Sequence, residues 1–119
     1  MKVYLAGPMR GHPEFNKTAF MRAAAKLRAE GHIVFNPVEE TIKLYGPGVY
    51  ENNPGGDEAI TPIDPDKVFY NDITFICLHA EAIALLPGWR KSKGATAEHA
   101  VAIAINRKVI ELDVSYWGS

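Results

Sequence analysis

The chain has 119 residues, 47% of them hydrophobic and 23% charged, enough for one ordinary core and far from the composition of a disordered segment. Thirteen Lys and Arg against fourteen Asp and Glu leave a formal net charge of −1. That balance excludes the broad basic face of a nucleic-acid polymer binder, so any phosphate contact must be local. No apolar run reaches membrane-spanning length, and Met1-Lys2-Val3 leads into a strand pattern rather than a signal peptide. A cytoplasmic protein without a membrane partner is expected. The lone cysteine, Cys77, lies in an apolar run and reads as a buried, inert thiol.

In chain order, Lys2 to Gly7 reads as a short buried strand ending at a glycine turn. Phe20, Ala23, Ala24 and Leu27 then form a helical stripe that Gly31 stops. His32 to Phe35 is a second strand, closed by Asn36-Pro37, and strand-helix-strand implies a right-handed crossover and a parallel sheet. Residues 45–66 hold four glycines and four prolines with little apolar periodicity, and read as a mobile lid, a substrate loop or a plain insertion. Asp64 and Pro65 look like the cap and first residue of a helix carrying Val68, Phe69, Ile73 and Ile76 inward. Ala82 to Leu86 reads as a central strand covered on both faces, Ala95 to Ile105 as a helix, and Lys108 to Leu112 as a last strand. The alternation predicts one α/β domain over residues 1–119, with four or five parallel strands.

Two carboxylates stand out. Asp72 falls three residues after Phe69 and four before Ile76, on or beside the apolar stripe of its helix. Desolvation there raises a carboxyl pKa, which suits a general acid; an Asp at the stripe's edge capping a loop is the plain alternative. Glu98 is read as lying near the start of its helix, where free amides and the macrodipole favour the anion, with small residues on the same face. It is a candidate nucleophile or, more plainly, a surface glutamate. A raised and a lowered proton affinity side by side would suit cleavage through an oxocarbenium-like transition state.

Phosphate-binding candidates flank these acids. Gly7-Pro8-Met9-Arg10-Gly11 follows the first strand, where open α/β sheets place ligands, and Arg10 is either a two-pronged anion grip or an exposed turn residue. Ser92-Lys93-Gly94-Ala95 opens a helix, where amides and a hydroxyl converge on one point, though a simple serine cap explains Ser92 equally. Lys93 is either a contact or solvated, and Trp89 either stacks on a base or packs on its loop. His79 and His99 lack the partners of a metal site, and no metal or other cofactor is expected.

Tyr4-Leu5-Ala6-Gly7, Arg10-Gly11, Asp72, Ser92-x-Gly94 and Glu98, in that order, resemble the nucleoside 2-deoxyribosyltransferase superfamily. The similarity is nearest to its 2′-deoxynucleoside 5′-monophosphate N-glycosidase branch, and small phage and bacterial deoxyribosyltransferase-like proteins look alike around Leu86 to Trp89 and Glu98 to Ala100. The resemblance implies a flavodoxin-like (Rossmann-like) three-layer sandwich and a double-displacement mechanism. It makes Glu98 the nucleophile, Asp72 the acid that protonates the leaving base, and Tyr4 the residue that orients Glu98. Arg10, Ser92 and the Gly94 amide would hold the 5′-phosphate, with Gly7, Met9, Gly11 and Ala95 completing the substrate contacts. The transferases carry an aspartate at the Ser92 position; a serine there avoids repelling phosphate and points to a deoxynucleotide substrate. The resemblance also implies a homodimer or larger homo-oligomer in which a neighbouring subunit lends a polar residue, Ser115 or Ser119. Two other classes remain open: a nucleotide-binding sensor or sequestering protein without turnover, and a phosphoribohydrolase acting on ribonucleotides.

Overall fold

The computed structural model describes residues 1–116. Four strands, Lys2–Ala6 (β1), Ile33–Phe35 (β2), Ala82–Leu85 (β3) and Lys108–Glu111 (β4), form one all-parallel sheet in the order β2-β1-β3-β4. Tyr4 stands beside Phe35 on one side and Ile83 on the other, so β1 and β3 are the inner strands. Their side chains alternate between two cores. Val3, Leu5, Ala82 and Ala84 enter one cluster, while Tyr4, Ala6, Ile83 and Leu85 enter the other. Helix α1 (Lys17–Ala29) covers the first face through Phe20, Ala23, Ala24 and Leu27. Helices α3 (Pro65–Leu78) and α4 (Lys93–Ala104) cover the second through Ile76, Ala95 and Ala102. The result is the expected flavodoxin-like three-layer sandwich, with four strands. The chain runs from β1 outward to β2, then back across β1 to β3. This reversal opens a crevice beyond the carboxyl ends of β1 and β3. No helix among the described residues is long and apolar enough to cross a membrane.

Local chemistry explains where the elements start. Asp64 caps α3 by accepting from the amides of Asp66 and Lys67, with Pro65 in the first turn. Asn36-Pro37 carries the same signal. The Asn36 side chain accepts from the Val38 amide at 3.0 Å and opens an unanticipated helix, α2 (Pro37–Tyr45), rather than merely closing β2. Its Val38, Ile42 and Tyr45 join the first core.

Two expectations for α3 fail for one geometric reason. Asp72 and Ile76, four apart, define its buried line. Phe69 is 37% exposed, and Cys77, one step round from Ile76, faces solvent rather than the core. The apolar run around Cys77 is buried along one line only.

The 45–66 segment packs onto the domain. Val49, Tyr50 and Asn53 are buried. The Asn53 amide group donates to the Asp57 carbonyl at 2.7 Å and accepts from the Asp57 amide at 3.1 Å. Two backbone bonds tie this segment to the turn after β1: Gly11 N–H to the Gly56 carbonyl at 3.1 Å, and Glu14 N–H to the Pro54 carbonyl at 3.0 Å. Gly56 makes this approach possible. Its φ is +65°, and a Cβ there would fall 2.1 Å from the His12 carbonyl oxygen. A Cβ on the adjacent Gly55 would meet open space. Gly56→Ala is therefore expected to lower the unfolding free energy by roughly 2–3 kcal/mol, while Gly55→Ala stays near wild type. Urea denaturation of both variants checks the contrast, and equal effects would refute it.

Candidate active site

Three elements bring three polar side chains to one buried point. Tyr4 projects from β1 towards the α3/α4 layer and is 1% exposed. Asp72 comes from the buried line of α3. Glu98 comes from the face of α4 that also carries Ala95 and Ala102, whose small side chains leave space beside it. Both carboxylates are only 6% exposed. The Tyr4 hydroxyl donates to Glu98 Oε2 at 2.6 Å, joining residues 94 apart in the chain. Phe35 stacks on the Tyr4 ring at 5.5 Å and Phe75 lies against it, so the hydroxyl is held in one direction.

Burial dominates the electrostatics here. Asp72 is raised from 3.8 to about 7, chiefly by desolvation, with the nearby Tyr4 and Glu98 side chains moderating the rise. The Glu98 carboxyl is also pushed well up, first by desolvation and then by the Asp72 charge. The expected lowering at Glu98 is thus reversed. Glu98 is the sixth residue of α4, one turn beyond the free amides of the helix start, where the dipole has faded and burial decides. Two buried carboxyls cannot both ionise cheaply, so the pair keeps at least one proton at neutral pH. Tyr4 is raised well above 10 by burial and by both acids, and it remains a hydrogen-bond donor.

The pair borders a cavity of about 750 Å³ at the crevice beyond β1 and β3. Tyr4, Gly7, Met9, Arg10, Asp72, Ser92, Gly94, Ala95 and Glu98 all line it. At Gly7 a Cβ would lie 2.7 Å from that of Leu86, so glycine lets the ends of β1 and β3 approach. Gly11 does not line the cavity; its amide is committed to Gly56, and its part is to anchor the loop. Ser92 caps α4, its Oγ accepting from the Ala95 amide at 3.2 Å, which leaves its own proton to give. Lys93 and Gly94 open the helix, where amides have no intrahelical acceptor. Lys93 borders the cavity together with Lys91, which sequence reasoning passed over. Arg10 is largely exposed and pairs with Glu58 at 3.1 Å, so an anionic ligand must take that carboxylate's place.

Other candidates lie elsewhere. Trp89 packs: it is buried, donates to Glu111 Oε1 at 3.2 Å and lies against His99. Ser115 bonds to Asp113 and Lys26 away from the cavity, and Ser119 lies outside the described residues. The site also includes residues the sequence did not flag. Thr41 from α2, Phe15, Phe20 and Tyr50 form part of the wall. Asn36-Pro37 was the available signal for Thr41, since a helix beginning there carries residue 41 one turn inward. Glu14, Phe15 and Asn16 all adopt left-handed backbone, with φ of 49°, 55° and 66°. This strained turn delivers the Phe15 ring to the wall.

Residues 1–111 match the family model described as a domain of unknown function, DUF4406, and the chain belongs to that family. No curated protein and no solved structure matches it.

The proton affinity of Asp72 has a consequence for stability. Folded Asp72 keeps its proton up to about pH 7, whereas the unfolded chain loses it near 3.8. Between these values the native state binds more protons, so the contribution is fully present below the lower value and is lost as pH rises through the upper. Asp72→Asn cannot ionise and removes that loss. Thermal denaturation should show the variant gaining in Tm over wild type at pH 8 and much less at pH 5; a pH-independent difference would contradict the burial argument.

Proposed function

We propose that the protein cleaves the N-glycosidic bond of a 2′-deoxynucleoside 5′-monophosphate, through a covalent glycosyl-enzyme intermediate formed on Glu98. The observation that carries this reading is the meeting of Tyr4, Asp72 and Glu98 at one cavity whose wall also holds the open start of α4. The order and spacing of these residues, which resemble the deoxyribosyltransferase superfamily, support it further.

In the productive form the shared proton sits on Asp72, and the Tyr4 hydrogen bond favours the charge on Glu98. The Glu98 carboxylate attacks C1′ as the bond to the base breaks, and Asp72 gives its proton to the departing nitrogen. Water then attacks C1′ of the ester and passes a proton back to Asp72, releasing the sugar phosphate and the Glu98 carboxylate. An acceptor base in place of water gives base exchange by the same first step. Ser92, the amides of Lys93 and Gly94, and Arg10 once freed from Glu58 supply a local anion site for the 5′-phosphate. A homodimer or larger assembly belongs to the same proposal, and the exposed Tyr70, Leu78 and Ile103 on α3 and α4 are apolar side chains such an interface would cover.

Incubating the protein with each common deoxynucleoside monophosphate, with and without an added base, tests the reading by chromatography. Free base or exchanged nucleotide is expected, and neither from any of them would refute it. Glu98→Gln should lower turnover by about 10³-fold or more while nucleotide affinity changes only a few-fold. Arg10→Ala and Ser92→Ala should raise KM for nucleotides by about 10-fold and leave the corresponding nucleosides little changed. Equal losses on both substrates would remove the phosphate assignment. Because Asp72 must hold a proton, kcat/KM should decline above about pH 7.

A further inference from the structure

The turn that carries Ser92 contains two kinds of residue. Pro87, Gly88, Lys91, Ser92, Lys93 and Gly94 line the cavity, while Trp89 and Arg90 do not. Trp89 instead joins the core between the sheet and the α3/α4 layer and is 7% exposed. The chemistry just described uses neither residue.

Three contacts hold the Trp89 ring. His99 of α4 lies against it, with centroids 4.5 Å apart, and the Arg90 guanidinium sits 4.6 Å from its centroid. The indole N–H donates to Glu111 Oε1 at 3.2 Å. The same carboxylate oxygen faces Arg90 at 3.3 Å, so one side chain holds two successive residues of the turn. The ion pair contributes little restraint, because its side chains are 72% and 58% exposed and water and salt screen it. The bond to the buried indole is the restraining one.

Glu111 is well placed to act as a fixed point. It ends β4 opposite Leu85, and the following amide, that of Leu112, donates to the Leu85 carbonyl at 2.9 Å. From Trp89 the restraint passes along the backbone. The Ser92 amide donates to the Trp89 carbonyl at 3.0 Å, and Ser92 Oγ accepts from the Ala95 amide at 3.2 Å. An anchored ring three residues before the cap therefore fixes where the cap stands.

We infer that Glu111 is a positioning residue for the anion site: by holding the Trp89 indole it sets where Ser92 and the first amides of α4 meet the ligand. It touches no ligand itself. The inference rests on the proposed function for one point, that the 5′-phosphate is held at this turn. Hydrogen-bond donors shifted by a fraction of an ångström bind an anion less well, while the acid pair, held separately through Tyr4, is left in place.

Glu111→Ala and Glu111→Gln provide the test. Alanine removes the acceptor, whereas glutamine keeps an oxygen for the indole and loses only the charge facing Arg90. Glu111→Ala should raise KM for deoxynucleoside monophosphates by about 5-fold or more, with kcat within about 2-fold of wild type and the corresponding nucleosides little changed. Glu111→Gln should restore KM to within about 2-fold of wild type. A wild-type KM in Glu111→Ala, an equal loss on nucleosides, or a glutamine variant as impaired as the alanine one overturns the inference. If no deoxynucleoside monophosphate is cleaved by wild type, the glycosidase reading is what fails, and calorimetric affinity for the same nucleotides replaces KM. A loss in Glu111→Ala that Glu111→Gln restores then upholds the positioning role, while no loss, or no binding by wild type, overturns it.

Discussion

Dehydration of two carboxyl groups is the constraint around which this molecule is organised. Asp72 and Glu98 are both withdrawn from water, and each would shed that cost by staying neutral. A single donor, the Tyr4 hydroxyl, gives Glu98 a reason to carry charge. One proton shared between two acids in fixed surroundings is a chemical resource, and it rests on their burial. The sheet, both helices and the aromatic rings around Tyr4 serve to keep those three groups in place.

The cavity divides the labour between its walls. Where β1 and β3 end, backbone amides, a serine and basic side chains border the cavity, and Arg10 is paired with Glu58. Elsewhere the wall is aromatic and aliphatic, with the Tyr50 hydroxyl as a polar point within it. The acid pair borders the same cavity. The deoxynucleotide we propose as substrate has a charged tail and a flat head, and it is these surfaces that motivate the proposal. The 45–66 loop is tied to the Gly11 turn by its own backbone, so these two parts of the chain around the cavity are mechanically joined.

Much of the fold was readable because its signals are local. Unbroken apolar runs marked the inner strands, and Asp64-Pro65 marked a helix start. Asp72 could be placed near the interior from its spacing to Ile76. What escaped depended on tertiary surroundings. Asn36-Pro37 carries the signal of Asp64-Pro65, but beside a strand it reads equally well as a turn. Cys77 looked buried because a one-dimensional run does not say which line of a helix is covered. The proton affinity of Glu98 was misjudged because helix position was weighed and desolvation, a property of the assembled layers, was not. Tyr50 stood in a stretch without periodicity, where nothing local separates a core tyrosine from a surface one.

The bond from Tyr4 to Glu98 spans nearly the whole chain, and this has a bearing on how the protein is made. During synthesis β1 leaves the ribosome first, long before α4 exists. Until then its hydrophobic strand has an open edge, and Tyr4 has no acceptor from the missing helix. The nascent chain must pass through a stage with exposed sheet edges that invite misassociation. Completion of the pocket therefore waits for α4, and a polypeptide released short of α4 would lack it.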